Sequence, residues 1–267
     1  MSRPVVPVDS WVGGTSYDNY VGRWSRPVAR EFVAWLDPQS GSRWLDIGCG
    51  TGALTETLLL AAAPAAVTGI DPSADFVAHA AAQVPDPRAT FRRGTATDIP
   101  LPTAAVDLTV SGLVLNFVSD RPAALHEMRR VTRKGGTIAA YVWDYGAEMQ
   151  LMRYFWDAAI DRDATAVSAD EAARFDFCRP GPLRHLFVDA GLLAVEVAPI
   201  VVPTVFADFD DYWIPFLQAS APAPAYVRSL GEEDRVALRE ALRQRLPVRA
   251  DGTIALHAGA WAVRGRS

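Results

Sequence analysis

The feature that most constrains this chain is a glycine-rich segment at residues 44–52, which reads Trp-Leu-Asp-Ile-Gly-Cys-Gly-Thr-Gly. A short apolar run contains the acidic residue Asp46, and glycines follow at positions 48, 50 and 52. The next residues are rich in Ala, Leu and Thr and have a helical character. A strand, a glycine turn and a helix in this order let the backbone approach a nucleotide-like ligand closely.

The spacing of these glycines argues against two phosphate-binding motifs. A dinucleotide fingerprint requires G-x-G-x-x-G, whereas this chain has G-x-G-x-G with Asp46 two residues before the first glycine. A phosphate-binding loop requires G-x-x-x-x-G-K-[ST], and no lysine follows this turn. The turn offers a carboxylate and bare backbone, which favours a zwitterionic or cationic ligand.

Composition limits the classes of protein that remain. A chain of 267 residues, half of them hydrophobic, has ample material for a buried core. Its formal charge of −5, without a long basic tract, disfavours nucleic-acid binding as the main task. One of its two cysteines, Cys49, lies inside the glycine turn, which argues against a disulfide framework. No signal-like start or membrane-length apolar segment is visible, so we expect a cytoplasmic protein without a membrane partner.

Strand-like and helix-like segments alternate after the glycine turn. Most predicted strands are near-continuous apolar runs, as expected when helices cover both faces of a parallel sheet. The predicted strands span 43–47, 66–70, 89–93, 106–110, 136–142 and 194–201, and the predicted helices span 52–62, 73–83, 121–132 and 181–190. Lys134-Gly135-Gly136 predicts a turn before the fifth strand. A last strand over 253–264 returns after a long excursion, which predicts an antiparallel addition at a sheet edge or next to one.

Residues 1–267 are predicted to form a single domain with additions to the alternating pattern. Residues 1–36 form an N-terminal arm followed by a helical segment. Residues 144–180 have the pattern of one or two extra helices. Residues 203–248 contain an aromatic-rich piece and a charged helix, so both insertions are expected to be helical.

Two acidic residues downstream of the turn are candidates for ligand contacts. Asp71 comes 19 residues after Gly52, where a carboxylate can accept hydrogen bonds from both hydroxyls of a ribose. Asp71 with Pro72 and Ser73 also has the pattern of a helix N-cap, and both roles stay open. Asp98 is either an acceptor for an exocyclic amine such as that of adenine, with Ile99 over the ring, or a solvated turn residue.

The glycine turn, Asp71 and Asp98, in this order, resemble the class I S-adenosylmethionine-dependent methyltransferases of the small-molecule type. Residues 105–112 look like the family's fourth strand, and residues 125–141 look like its fourth helix, glycine turn and fifth strand. The resemblance covers residues 40–145 closely and extends loosely through 201. Lys134 departs from it, since many relatives have proline there. The resemblance implies a doubly wound, mostly parallel seven-stranded sheet with helical lid insertions.

By this resemblance the cofactor is S-adenosylmethionine. The turn from Gly48 to Gly52 would wrap its methionine part, and Asp46 would hold its amino group directly or through water. Asp71 would bind the ribose, and Asp98 with Ile99 would bind the adenine. The complete set implied by the resemblance is Arg23, Asp46, Gly48, Cys49, Gly50, Gly52, Asp71, Pro72, Thr97, Asp98, Ile99 and Ser111.

Two members of that set need separate comment. Backbone near Ser111, at the end of the fourth strand, would line the methionine side. Arg23 lies in the N-terminal segment, which in such proteins often covers the cofactor. Its guanidinium is either a bidentate partner of the methionine carboxylate or a surface helix charge.

No residue identifies itself as a catalytic base. His126, His79 and His185 fall on predicted helices and have the pattern of solvated residues, and His257 lies on the last strand, far in sequence from the turn. No Cys/His pair or carboxylate cluster indicates a metal site. Methyl transfer is an in-line displacement from a sulfonium, so alignment of the nucleophile supplies much of the acceleration.

Aromatic residues are the candidates for an acceptor pocket. Trp143 follows the fifth strand, close to where ligands bind in such sheets. Tyr212 and Trp213 belong to the excursion after the sixth strand, where a lid is usually added. Core packing of a helical insertion is the stronger explanation for each of them singly, whereas several such residues together favour an apolar pocket. The predicted pocket comprises Tyr17, Trp24, Phe117, Trp143, Tyr212 and Trp213.

The sequence therefore favours a methyltransferase that acts on a small apolar or aromatic molecule. Three alternatives stay open: a protein of the same fold that binds S-adenosylmethionine and catalyses a non-methylating reaction, an oxidoreductase of the NAD type, and a protein-binding module without a cofactor. The NAD alternative needs a glycine spacing that this chain lacks. The acceptor and the oligomeric state are not predicted.

Overall fold

The computed structural model describes residues 22–219 and 221–267. Tyr17 and the rest of the predicted N-terminal arm through residue 21 therefore lie outside the described residues. The described chain divides into two compact units. Residues 24–144, 177–202 and 259–267 form the sheet unit, and residues 22–23, 145–176, 203–219 and 221–258 form the helical unit.

Seven strands form one sheet. They are β1 (Arg43–Ile47), β2 (Ala66–Asp71), β3 (Ala89–Arg93), β4 (Val106–Gly112), β5 (Thr132–Trp143), β6 (Leu193–Phe206) and β7 (Ile254–Arg266), in the order β3-β2-β1-β4-β5-β7-β6. Strands β1 to β5 are parallel, and β7 is antiparallel to β5. The predicted doubly wound, mostly parallel seven-stranded sheet is confirmed, as is the antiparallel last strand next to a sheet edge.

Helices connect the parallel strands. The α-helices are α1 (Arg23–Leu36), α2 (Ala53–Ala61), α3 (Ala74–Gln83), α4 (Arg121–Val131), α5 (Gln150–Arg162), α6 (Glu171–Arg174), α7 (Pro180–Asp189), α8 (Phe209–Trp213), α9 (Pro215–Gln218), α10 (Pro222–Ser229) and α11 (Glu232–Arg245), with 3-10 turns at Leu115–Phe117 and Ala164–Ser168. The predicted helices over 52–62, 73–83, 121–132 and 181–190 are confirmed to within one residue at each end. Within the described ranges, no helix has both the length and the apolar character that a membrane crossing requires.

The core of the sheet unit lies on both faces of its central strands. In β1 every residue from Trp44 to Ile47 is buried, because helices cover both sides of the sheet. One stripe of α4 is buried and consists of Ala124, Leu125, Met128 and Val131. Residues that are three or four positions apart lie on the same side of a helix, so these apolar side chains form one face of α4.

The predicted turn at Lys134-Gly135-Gly136 is wrong as a separate element, because β5 begins at Thr132, directly after α4. Val106 lies opposite Thr132 and Leu108 lies opposite Thr137, so the intervening residues form an irregularity within the pairing. The end of β7 holds this irregularity in the sheet. The Gly135 N–H donates to the Ser267 carbonyl at 2.8 Å, and the Ser267 N–H donates to the Gly136 carbonyl at 3.0 Å.

The helical unit is built around aromatic side chains. Phe155 of α5 stacks on Phe216 of α9, with ring centroids 4.5 Å apart, and makes an edge contact with Trp156. The Trp156 indole donates a hydrogen bond to the buried carboxyl group of Glu171. Both predicted insertions contribute to this unit, and their role as an acceptor lid stays a prediction.

Candidate cofactor site

The glycine turn between β1 and α2 has left-handed backbone at each of its three glycines. The φ angles are +70° at Gly48, +52° at Gly50 and +91° at Gly52. Glycine adopts this region without the steric cost that a Cβ atom imposes. The N–H groups of Gly48 and Cys49 both donate to the carbonyl of Ile70, at 2.8 and 3.0 Å, which ties the turn to β2.

The three glycines differ in the space around them. A Cβ atom at Gly48 would lie 2.6 Å from both γ carbons of Val114, so this glycine permits close packing against the segment after β4. A Cβ atom at Gly52 would lie 3.0 Å from Val84 Cγ2. A Cβ atom at Gly50 would have no described atom beyond its chain neighbours within 4 Å. The turn is therefore packed at Gly48 and open at Gly50, where a ligand can reach the backbone.

Asp71, the last residue of β2, is bonded to this turn. Its carboxylate accepts hydrogen bonds from the N–H of Gly50 at 3.1 Å and from the N–H of Ser73 at 2.9 Å. Burial raises its pKa, and the two N–H groups partly oppose the rise. Each carboxylate oxygen has a second lone pair, so the group retains the capacity to accept further hydrogen bonds.

The structure separates the two roles that the sequence left open at the start of α3. Ser73 is the N-cap, since its hydroxyl accepts a hydrogen bond from the N–H of Phe76 at 3.3 Å. Asp71 instead joins the glycine turn to the helix start. Pro72 lies exposed between them, and its carbonyl accepts a hydrogen bond from the Arg93 side chain at 3.1 Å.

Asp46 is buried beside the turn, with only 1% of its surface exposed. One carboxyl oxygen, Oδ2, accepts a hydrogen bond from the Thr55 hydroxyl at 2.7 Å. The other, Oδ1, is buried and has no hydrogen-bond partner among the described residues. Burial raises the pKa of Asp46 to about 7; the Thr55 hydrogen bond opposes this rise and the charge of Asp71 adds to it. A buried carboxyl group with one unpartnered oxygen fits the positively charged group of a ligand.

Sequence reasoning missed Thr55. It lies in the first turn of α2, and its hydroxyl reaches back to a residue that precedes the glycine turn. The available signal was a hydroxyl side chain at the start of the helix that follows the glycines. That signal is weak, because threonine in this position usually serves the helix itself.

Two other predicted residues lie in the interior of the sheet unit. Cys49 is buried, and this burial raises the pKa of its thiol. The negative charges of Asp46 and Asp71 raise it further, so the sulfur stays protonated. Ser111 is fully buried in β4, and its hydroxyl donates to the carbonyl of Ile47 at 3.1 Å. Ser111 therefore fixes the end of β1 from which the glycine turn departs.

The loop after β3 begins beside Asp71, because the N–H of Gly94 donates to the Asp71 carbonyl at 3.1 Å. Thr97 and Asp98 are exposed in this loop, and Ile99 is buried. The N–H of Ile99 donates to the carboxylate of Glu127 on α4 at 3.1 Å. The loop thus presents Asp98 to solvent from a segment that α4 holds in place.

The sheet unit brings together most of the predicted cofactor set, and Arg23 is the exception. Arg23 belongs to the helical unit, where its guanidinium pairs with Asp211 at 2.8 Å and lies 4.6 Å from the ring centre of Phe206. Neither partner was predictable from the sequence. A contact between Arg23 and a methionine carboxylate stays a prediction.

The predicted acceptor residues are divided between the two units. Trp24 is half-buried, Phe117 is 38% exposed and Trp143 is buried in the sheet unit. In the helical unit Tyr212 and Trp213 are buried, and the Tyr212 hydroxyl donates to the Leu151 carbonyl at 3.0 Å. Core packing accounts for the Tyr212 side chain as it stands, and Tyr17 lies outside the described residues.

Comparisons with known proteins match the part of the chain that contains the glycine turn. Residues 45–140 match the family described as a methyltransferase domain. A malonyl-[acyl-carrier protein] O-methyltransferase of Pectobacterium atrosepticum is 33% identical over 123 residues, which are 46% of this chain and 47% of that protein. A demethylmenaquinone methyltransferase of a Roseiflexus species is 33% identical over 127 residues, 46% of this chain and 53% of that protein. The chain spans about half the length of the curated relatives it matches.

The fold has counterparts among solved structures. Phosphoethanolamine N-methyltransferase 2 of Haemonchus contortus, in complex with S-adenosyl-L-methionine, aligns with a TM-score of 0.59 at 15% identity, over 94% of this chain and 57% of that one. The described residues place the glycine turn and the two carboxyl groups at the carboxyl ends of parallel strands, where α/β sheets of this kind bind ligands. Over residues 45–140 the chain is similar to the methyltransferase-domain family, and its fold is similar to that of S-adenosylmethionine-dependent methyltransferases.

Proposed function

We propose that this protein binds S-adenosylmethionine and transfers its methyl group to a small apolar or aromatic molecule by in-line displacement. The observation that carries the proposal is the pair of carboxyl groups at the ends of β1 and β2, on either side of the glycine turn. Asp46 has a buried unpartnered oxygen, and Asp71 is bonded to the open glycine, Gly50. These groups suit a ligand with an ammonium group and a pair of hydroxyls.

The residues around the glycine turn have separate roles in this proposal. Asp46 holds the ammonium group, and the backbone from Gly48 to Gly52 surrounds the methionine part. Asp71 accepts hydrogen bonds from the ribose hydroxyls through lone pairs that Gly50 and Ser73 leave unused. Asp98 and Ile99 contact the adenine from the loop that Glu127 holds.

The bound cofactor supplies an electrophilic methyl group on a sulfonium. The task of the chain is then to hold the acceptor in line with that methyl group, and alignment of this kind supplies a large share of the acceleration. His79, His126 and His185 are exposed on α3, α4 and α7, as solvated helix residues are. We therefore propose that positioning, and not proton abstraction by a histidine, carries the reaction.

The class of acceptor is the least constrained part of the proposal. Net negative charge disfavours nucleic acid, and the half-buried Trp24 and the exposed Phe117 offer apolar surface in the sheet unit. By their names, one curated relative methylates an oxygen of malonyl-[acyl-carrier protein] and another acts on demethylmenaquinone. We propose a phenol, carboxylate or amine nucleophile on a small molecule, with the two helical insertions acting as its lid.

The test combines binding with turnover. The protein is incubated with methyl-labelled S-adenosylmethionine and a panel of phenols, carboxylic acids and amines, and formation of S-adenosylhomocysteine is measured. The proposal expects product with at least one class of acceptor and less product in Asp71→Asn. Cofactor binding without S-adenosylhomocysteine for any acceptor would favour a non-methylating reaction on the same fold. Stronger thermal stabilisation by NAD than by S-adenosylmethionine would favour an oxidoreductase.

A further inference from the structure

Asp46 and Thr55 form a buried, hydrogen-bonded pair beside the glycine turn. Both side chains are buried, at 1% and 0% exposure, and the Thr55 hydroxyl donates to Asp46 Oδ2 at 2.7 Å. This hydrogen bond holds the Asp46 carboxyl group at its Oδ2 atom. The other oxygen has no partner among the described residues, so a positive ligand group is the natural complement for it.

The groups that face Asp46 come from each neighbouring element. From β2 comes Asp71, whose negative charge disfavours ionisation of Asp46, and from the turn comes the protonated thiol of Cys49. From β4 the residue opposite Asp46 is the apolar Val110. From α2 comes the Thr55 hydroxyl, which favours ionisation because it donates to the carboxylate.

We propose that Thr55 is a positioning residue that favours the ionised form of Asp46, and that binding of the cofactor's ammonium group expels a proton from this carboxyl group. The inference rests on the proposed function and adds a dependence on pH to it. In the step, the O–H bond of the protonated carboxyl group breaks, the proton passes to the buffer, and the carboxylate pairs with the ammonium.

The size of the pH effect on affinity follows from the fraction of the unliganded protein in which Asp46 is ionised. Burial raises the pKa of Asp46 to about 7, so about half of the molecules are competent at that pH. Since apparent affinity scales with the competent fraction, the affinity for S-adenosylhomocysteine should fall about tenfold between pH 8 and pH 6. Calorimetry in two buffers of different ionisation enthalpy should show release of about one proton per ligand at pH 6 and almost none at pH 8.

A ligand without the ammonium group provides the control. 5′-Methylthioadenosine keeps the adenine and the ribose, and it lacks the amino-acid part. Titration of Asp71, whose pKa is also raised, affects both ligands through the ribose. The ratio of the two affinities therefore isolates Asp46, and proton release with 5′-methylthioadenosine should be small at both pH values.

Variants of α2 test the role of Thr55. Thr55→Val removes the hydroxyl with little change in shape and should move the midpoint of the pH profile upward by about one unit. The affinity for S-adenosylhomocysteine would then fall about fivefold at pH 7 relative to the natural protein. Thr55→Ser keeps the hydroxyl and should restore the profile of the natural protein.

Thr57→Val is the matched control, because the Thr57 hydroxyl donates to the Ala53 carbonyl on the same helix. The pH profile of affinity in Thr57→Val should have the same midpoint as that of the natural protein. A Thr55→Val profile that superimposes on that of the natural protein would overturn the role of Thr55. Equal affinity for S-adenosylhomocysteine at pH 6 and pH 8 would overturn the proton linkage alone, whereas failure to bind at every pH would overturn the proposed function as well.

Discussion

Substitution of Gly48 by alanine tests how closely the glycine turn packs on the rest of the sheet unit. Gly48 has a φ of +70°, and an added Cβ atom would lie 2.6 Å from both γ carbons of Val114. Left-handed backbone costs a residue with a Cβ atom about 1–2 kcal/mol. Overpacking of a filled site adds about 1–3 kcal/mol. We expect Gly48→Ala to lower the free energy of unfolding by about 2–5 kcal/mol.

Gly41 provides the matched control, because it has a φ of +77° and no described atom beyond its chain neighbours lies within 4 Å of its Cβ position. Gly41→Ala should therefore cost only the backbone share, about 1–2 kcal/mol. Both costs are read from urea unfolding, with the slope of the transition checked for each variant. Val114→Ala combined with Gly48→Ala should recover about 1–3 kcal/mol in a double-mutant cycle. Equal costs for the two alanine variants, with no coupling to Val114, would refute the close contact.

Two further predictions concern ionisation and ligand access. Burial raises the pKa of Glu171 from 4.5 to about 7, so the folded protein keeps a proton that the unfolded chain releases between these values. The contribution of Glu171 to stability should therefore fall by ~3 kcal/mol as pH rises from about 4.5 to about 7. The difference in unfolding free energy between pH 5 and pH 8, read from urea titrations, should be smaller in Glu171→Gln, and an unchanged difference would contradict this prediction. Gly50→Ala meets open space and should cost only about 1–2 kcal/mol of stability. Its methyl group occupies the open side of the turn, so the affinity for S-adenosylhomocysteine should fall at least about tenfold by calorimetry, and unchanged affinity would place the ligand elsewhere.

Features that depend on local pattern were predictable from the sequence. The strands at 43–47 and 89–93 were predicted with the bounds that the structure has. For 43–47 the signal was a short apolar run that ends at turn residues, as in a buried strand. Gly191 ends α7 in left-handed backbone, as a glycine after the last helical residue usually does. The order of glycines and acidic residues was sufficient to indicate the family.

Features that depend on tertiary partners were not predictable. Lys134-Gly135-Gly136 has the composition of a turn, whereas the structure places it within β5, where Gly135 and Gly136 exchange hydrogen bonds with Ser267. The bond from Thr55 to Asp46 requires the path of the whole turn between them. The sequence pattern did not decide whether the side chain of Tyr212 contacts the acceptor or packs in the core, because burial of an aromatic residue in an insertion depends on neighbours from other helices.

Calorimetric titration of the purified protein with S-adenosylmethionine, and with NAD in parallel, shows which cofactor the glycine turn binds. We expect one S-adenosylmethionine per chain and no measurable NAD binding. We also expect that Asp71→Asn, which weakens the acceptor for the ribose hydroxyls, lowers the affinity at least about tenfold, as expected for loss of hydrogen bonds to a charged group. Absence of S-adenosylmethionine binding at millimolar concentration, or tighter binding of NAD, would contradict the assignment of the glycine turn and its two carboxyl groups.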